Sequence, residues 1–232
     1  MTFASRLAND GGASILAAID LFWGQIVVYR RTSKTELRKQ QRRETILRST
    51  RSIISARGFS GTRAKDIAKA AGVSEGTVFR YFPTLIDLFV EVFRDVAGGE
   101  FEVAKAATLS TDRPRDRLAA VVQLHVERAL RSPGLARALL AEPLGAELES
   151  VRLTYRGYFR DLFAQIMKDA INAGQYRPFD VLTAAACMIG AVDETLILPT
   201  AVLDAKSGDD KGHVSFVVQF CMNGIAPWHI GE

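Results

Sequence analysis

The segment that most restricts what this chain can fold into runs from Ile67 to Phe82, IAKAAGVSEGTVFRYF. It reads as two short helices joined by a tight corner. Ala68 and Ala71 are small enough to let the two helices approach closely. Gly72 takes the strained backbone of the turn, which a residue without a Cβ reaches at no steric cost. Val73 plugs the corner, and Ser74 is placed to cap the second helix, with Glu75 in its favourable first turn. Val78 then faces inward, leaving Gly76, Thr77, Phe79, Arg80 and Tyr81 for the outer surface. A helix whose leading residues are small and polar, flanked by arginine and aromatic rings, suits close entry into the major groove of DNA.

Helical periodicity continues on both sides of this corner. Leu37 to Arg57 reads as one helix with Ile46, Leu47, Ile53 and Ile54 on its buried side, closed by Gly58. The segments 62–71, 74–81 and 84 onward follow. In the last of these, Leu85, Leu88, Phe89, Val92, Phe93 and Val96 form a stripe of period 3.6. The Gly98-Gly99 pair predicts a kink or frayed turn before the helix resumes through Phe101 to Ala107. After a break at 110–114, with Asp112 as the candidate N-cap and Pro114 in the first turn, helices are predicted at 115–131, 134–141, 146–173, 179–197 and 212–224. No segment shows convincing strand alternation, so the expected fold is all-α.

The N-terminal end is unusual. Ile15, Ile19, Phe22 and Ile26 recur at helical spacing, which predicts an amphipathic helix, a disordered tail being the alternative. The apolar run from Ile15 to Tyr29 is broken by Asp20 and is shorter than the roughly 20 residues a membrane span needs. It also lacks the cleavage site of a signal peptide, so a cytoplasmic protein is expected. Cys187 and Cys221 have no CxxC or Cys/His spacing, and His125, His213 and His229 are scattered. No zinc site, disulfide framework or other cofactor is expected, and a reducing compartment fits.

Charge is distributed unevenly. Twelve Lys and Arg lie between Arg30 and Lys65 against only Glu36 and Glu44, so that stretch carries +10 and the remainder −6. A cationic end on an otherwise acidic chain suits a polyanion with a localised footprint.

Taken together, Arg57-Gly58-Phe59, Thr62 and the run from Ile67 through Leu88 resemble the N-terminal signature of the tetracycline-repressor (TetR) family, a helix ending in Gly-Phe, then Thr, then IAxxAGVSxGTxYxYFxxKxxL. The resemblance covers about residues 41 to 88. It implies an N-terminal three-helix helix-turn-helix DNA-binding domain plus a C-terminal helical effector-binding and dimerisation domain. The corresponding boundaries are 1–34 for an N-terminal extension, 35–88 for the DNA-binding domain and 89–232 for the helical remainder. The resemblance further implies a homodimer on a palindromic double-stranded DNA operator, with repression relieved by a small apolar effector.

Carried over residue by residue, it implies phosphate contacts for Thr62 and Arg63 and a base-reading face made of Ser74, Glu75, Gly76, Thr77 and Arg80. Phe79 and Tyr81 would pack against the sugar-phosphate or thymine methyls. Two positions depart from the signature. Phe79 replaces its usual Tyr and loses a hydroxyl, and Leu85 replaces its usual Lys and loses a cation. The basic run from Lys34 to Arg43 is a candidate to compensate along the DNA backbone.

The C-terminal two-thirds holds no catalytic constellation, and Glu127 and Asp193-Glu194 read as isolated carboxylates. His125, Tyr155, Phe159, Phe163, Met167 and Met188 are the candidates for lining an effector pocket. By family analogy the helices at 179–197 and 212–224 pair across the dimer axis, through Ala184, Ala185, Gly190 and Ala191 on one and Val214, Val217, Cys221 and Gly224 on the other. The readings that compete are a membrane-associated sensor anchored by Ile15–Tyr29 and a helical carrier or enzyme for an apolar molecule.

Overall fold

A computed structural model describes residues 11–197 and 210–226, with side chains from residue 34 onward. All regular elements among the described residues are helices: α1 Gly11–Arg57, α2 Ala64–Ala71, α3 Glu75–Tyr81, α4 Leu85–Ala107, α5 Pro114–Arg131, α6 Pro133–Leu140, α7 Ala146–Asn172, α8 Val181–Ile197 and α9 Asp210–Ile225. The chain divides into a unit of Met1–Thr45 and a compact unit of Ile46–Glu232. In the first unit the backbone is helical from Gly11, while the predicted apolar stripe at Ile15, Ile19, Phe22 and Ile26 falls outside the described side chains. Residues 34–42 of that unit are exposed, and Glu36 pairs with Lys39 at 2.8 Å along the helix.

Helix ends in the second unit follow local chemistry. Gly58 (φ +74°) closes α1 and Gly72 (φ +65°) closes α2, both left-handed as the turns require. Ser74 caps α3 by accepting from the Thr77 N–H at 3.2 Å. Thr84 and Asp87 form a reciprocal capping box at the start of α4. Two expectations are corrected. The helix α4 runs unbroken through Gly98 and Gly99, because three turns of buried apolar residues before them and Ala104 after them hold the helix on its neighbours. At α5 the cap position is Arg113 rather than Asp112, with Pro114 in the first turn as predicted.

Two hydrophobic cores fill the Ile46–Glu232 unit. The first gathers Ile46, Ile54, Ile67, Val78, Phe82 and Leu88 around the α2–α3 corner. It also takes in Phe93 and Val96 of α4, Leu135 and Leu139 of α6, and Val151 of α7, so its packing extends well past residue 88. The second gathers α5, α7, α8 and α9 around Val122, Phe163, Met167, Ala185 and Val217. The helix α4 enters both, through Phe93 in one and Ala104 in the other.

Candidate DNA-binding face and effector cavity

The corner folds as its residue types dictate. Ala68 and Val78 are buried and the Val73 N–H donates to the Ala68 carbonyl at 2.9 Å, drawing the chain sharply back. This leaves Ser74, Glu75, Gly76, Phe79 and Arg80 exposed and Thr77 half-buried on one side of α3. Arg80 lies over the Tyr81 ring, 5.8 Å from its centroid, which steadies a long side chain without using up its donors. A Cβ at Gly76 would meet nothing within 4 Å. The fold itself leaves room for a side chain there.

Arg63 is exposed at the start of α2. Thr62 is corrected. It is buried, and its hydroxyl donates to the Gly58 carbonyl at 2.6 Å, so the side chain braces the α1–α2 turn instead of facing outward. Leu85, where the family signature has a cation, packs onto the first core.

A cavity of about 290 Å³ opens among α4, α5, α6, α7 and α8, with Arg51 of α1 at its edge. That is at the small end of ordinary ligand sites, about 300–1,000 Å³. Of the predicted lining residues, His125, Tyr155, Phe159 and Phe163 reach it. Met167 and Met188 do not. Met167 is closed into the second core, and Met188 borders a separate hollow with Cys187 and Phe220 between α8 and α9. Helical spacing alone could not separate the two faces of α7.

Sequence reasoning missed the charged part of the cavity. Five arginines (51, 128, 131, 152 and 156) line it against two carboxylates, Glu100 and Asp193. Arg128 is bound to Glu100, with Nη2 donating at 2.8 Å. Burial holds His125 below the usual imidazole range, although Glu100 pulls the other way. Burial also pushes Asp193 up to about 6, against the downward pull of Arg156 and Arg152. One signal was present in the sequence: of the two acids in the largely apolar α8, Asp193 follows Ile189 at i+4 on the buried side while Glu194 faces out, and a charge is rarely buried without a partner.

A carboxylate ties the cavity wall to the α1–α2 turn. Glu142, just past α6, accepts the backbone N–H groups of Phe59 and Ser60 at 2.8 and 2.7 Å. Burial would raise its pKa, but these hydrogen bonds, with Arg137 nearby, hold it below the usual range. Arg152, on the cavity wall, donates to the carbonyls of Leu139 and Glu142 at 2.8 and 2.6 Å. On the other side of α6, a Cβ at Gly134 would run into the Ser55 carbonyl oxygen of α1. Glycine is what lets the two helices touch there.

A solvent-facing short helix behind a glycine corner, carried on a helical body with a cavity, has the build of a helix-turn-helix protein. The sequence profile of the bacterial regulatory proteins of the tetR family matches residues 46–92. A nucleoid occlusion factor SlmA from Vibrio atlanticus is 30% identical over 172 residues, 68% of this chain and 84% of that protein. The chain belongs to the TetR family, and as a member it is a homodimeric DNA-binding regulator rather than an enzyme. The fatty acid metabolism regulator protein of Bacillus subtilis is 24% identical over 177 residues, 75% of this chain and 90% of that protein. The fold is that of the FadR regulator of B. subtilis, crystallised with stearoyl-CoA (TM-score 0.69, 23% identity, 78% of this chain and 98% of that one). The Bacillus halodurans FadR structure is equally similar (TM-score 0.70, 20% identity, 82% and 97%). Among the described residues no helix is long and apolar enough to cross a membrane, and no group of side chains is arranged to hold a metal ion.

The expected dimer face needs revision at the residue level. Ala185, Val214, Val217 and Cys221 are buried within the protomer's own second core. The outward faces of α8 and α9 instead carry Leu182, Phe216 and Phe220, with the two phenylalanine rings stacked 6.4 Å apart.

Proposed function

We propose that this regulator is a repressor that binds a palindromic operator as a dimer through the outer face of α3, and that an amphipathic acyl thioester releases it. The observation that carries the effector class is the cavity. Its apolar wall, with Phe93, Phe159 and Phe163, suits an alkyl chain, and its excess of arginine suits an anionic head. The stearoyl-CoA held by the B. subtilis regulator is a ligand of that chemistry. The leading face of the dimer is Leu182, Phe216 and Phe220, which would otherwise leave three large apolar side chains in water.

On DNA, Arg63 neutralises phosphates, while Gly76, Thr77 and Arg80 read base edges and Phe79 and Tyr81 pack on sugar or thymine methyls. Ser74 and Glu75 shape the start of that face. Residues 46–88 then serve as the DNA-binding head, and 89–232 as the effector and dimerisation body. Release follows from differential affinity: a ligand that fits the cavity better when α4 and α6 have shifted draws the two heads away from operator spacing. The Arg152–Glu142–Phe59 connection gives that shift a hydrogen-bonded route to the α1–α2 turn.

The test is selection from randomised DNA followed by fluorescence anisotropy. The expected result is an inverted repeat with half-sites about one helical turn apart. Arg80→Ala should relax preference at one position in each half-site, by about 1–3 kcal/mol. Enrichment of no repeat, or an unchanged base preference in Arg80→Ala, contradicts the reading.

A further inference from the structure

The apolar cavity has a polar spot that a plain alkyl chain would not use. Asp193 of α8 is 8% exposed, and its Oδ1 lies 3.9 Å from Nε2 of His125 on α5. Its Oδ2 lies 3.5 Å from Nε of Arg156 on α7. Both separations exceed a good hydrogen bond, which runs about 2.7–3.2 Å. By contrast the neighbouring Arg128–Glu100 pair is tightly closed. Asp193 and His125 are thus near each other without satisfying each other; both line the cavity, His125 against the Phe159 ring.

The arginines lie at different depths: the Arg131 side chain is 68% exposed and that of Arg156 43%, while that of Arg152 is 10%, as deep as Asp193 at 12% and His125 at 18%. The Asp193 carboxylate repels an anionic head, which belongs at the exposed Arg131 instead, so what reaches Asp193 is part of the ligand's tail. A saturated chain laid across Asp193 would strip water from a carboxylate and give nothing back, which is among the costlier things a site can do. A hydroxyl would reverse that. A 3.9 Å gap admits one oxygen within about 2.8 Å of both atoms, donating its proton to Asp193 and accepting from the imidazole.

Building on the acyl-thioester reading, we propose that the cognate effector is a hydroxylated acyl chain whose hydroxyl bridges Asp193 and His125. The two residues are specificity determinants: they select among acyl chains without being needed to hold one.

The experiment is calorimetric titration of the full-length dimer with hexadecanoyl-CoA and with its isomers hydroxylated near the thioester, in mid-chain or towards the far end. At least one hydroxylated isomer should bind about ten- to a hundredfold more tightly than the saturated parent, the range of a hydrogen bond to a charged group. In Asp193→Leu that preference should vanish while the saturated chain binds at least as well as to the wild type. His125→Phe, which keeps the ring on Phe159, should reduce the preference, and it serves if Asp193→Leu does not fold. Equal binding of the saturated parent and every hydroxylated isomer by the wild type overturns the inference and leaves the acyl-thioester reading standing. Binding of none of these ligands overturns that reading and the inference with it.

Discussion

Two regions of the Ile46–Glu232 unit, the α2–α3 corner and the cavity, are built on different principles. Around the α2–α3 corner each residue answers to its immediate neighbours. Gly72 turns the chain, Ser74 caps, Val78 fills, and the outer face of α3 is what remains. Around the cavity, function lies in side chains brought together from α4, α5, α7 and α8, such as Glu100, His125, Arg156 and Asp193. The first region is made by local geometry and the second by assembly. The difference teaches where specificity resides: a reading face can be specified by a short run of sequence, whereas a ligand site must be specified by packing.

The largest expected effects come from emptying each core in turn. Phe82→Ala and Phe163→Ala, both nearly fully buried, should each cost about 3–5 kcal/mol in denaturant unfolding. They should part in binding. Phe163→Ala reshapes the cavity and changes effector affinity, while Phe82→Ala leaves effector affinity per folded molecule unchanged. Parallel losses in both measurements would erase the distinction between the cores.

A smaller effect is expected where the regions join. Glu142→Ala leaves two backbone N–H groups at Phe59 and Ser60 without their charged acceptor, at a cost of about 1.5–3 kcal/mol. Effector affinity should stay within about twofold of wild type. The drop in DNA affinity that the effector causes should shrink severalfold, since the connection works as linkage between two sites. Undiminished coupling in this variant would show that α4 alone carries the signal.

The smallest effect concerns the reading face. Leu85→Lys restores the cation of the family signature at the first residue of α4, and the plot of log affinity against log salt should steepen by about one charge. An unchanged slope would mean that a side chain at this position does not reach the DNA backbone.

How much of this was legible beforehand follows from the same contrast. The all-α class and most helix ends could be read because apolar periodicity, glycine and proline act locally; the start of α1 could not, since its backbone is helical from Gly11 and not from Leu37. The corner could be read residue by residue, with Ser74 capping and Val78 inward as expected. Thr62 was misjudged because a hydroxyl at a turn has two uses, and the nearby Gly58 carbonyl claims it. Gly98-Gly99 was misjudged because tertiary packing outweighs the intrinsic cost of two glycines in a helix. In the cavity, aromatic residues on α7 were found but the arginines were not, since periodicity marks apolar faces and is silent about where charges converge. Part of the expected dimer face was misplaced for a related reason: small residues permit close approach inside a protomer as well as between two, and at Ala185 and Cys221 the former holds, while Ala184, Gly190, Ala191 and Gly224 stay accessible.

The most direct measurement for the central claim, one molecule in which an apolar, arginine-rimmed cavity controls a helix-turn-helix, is operator affinity with and without saturating long-chain acyl-CoA. The account predicts weaker DNA binding with the ligand present, by about 5- to 150-fold. An affinity for operator that is the same in both conditions, with the ligand shown to be bound, would contradict it.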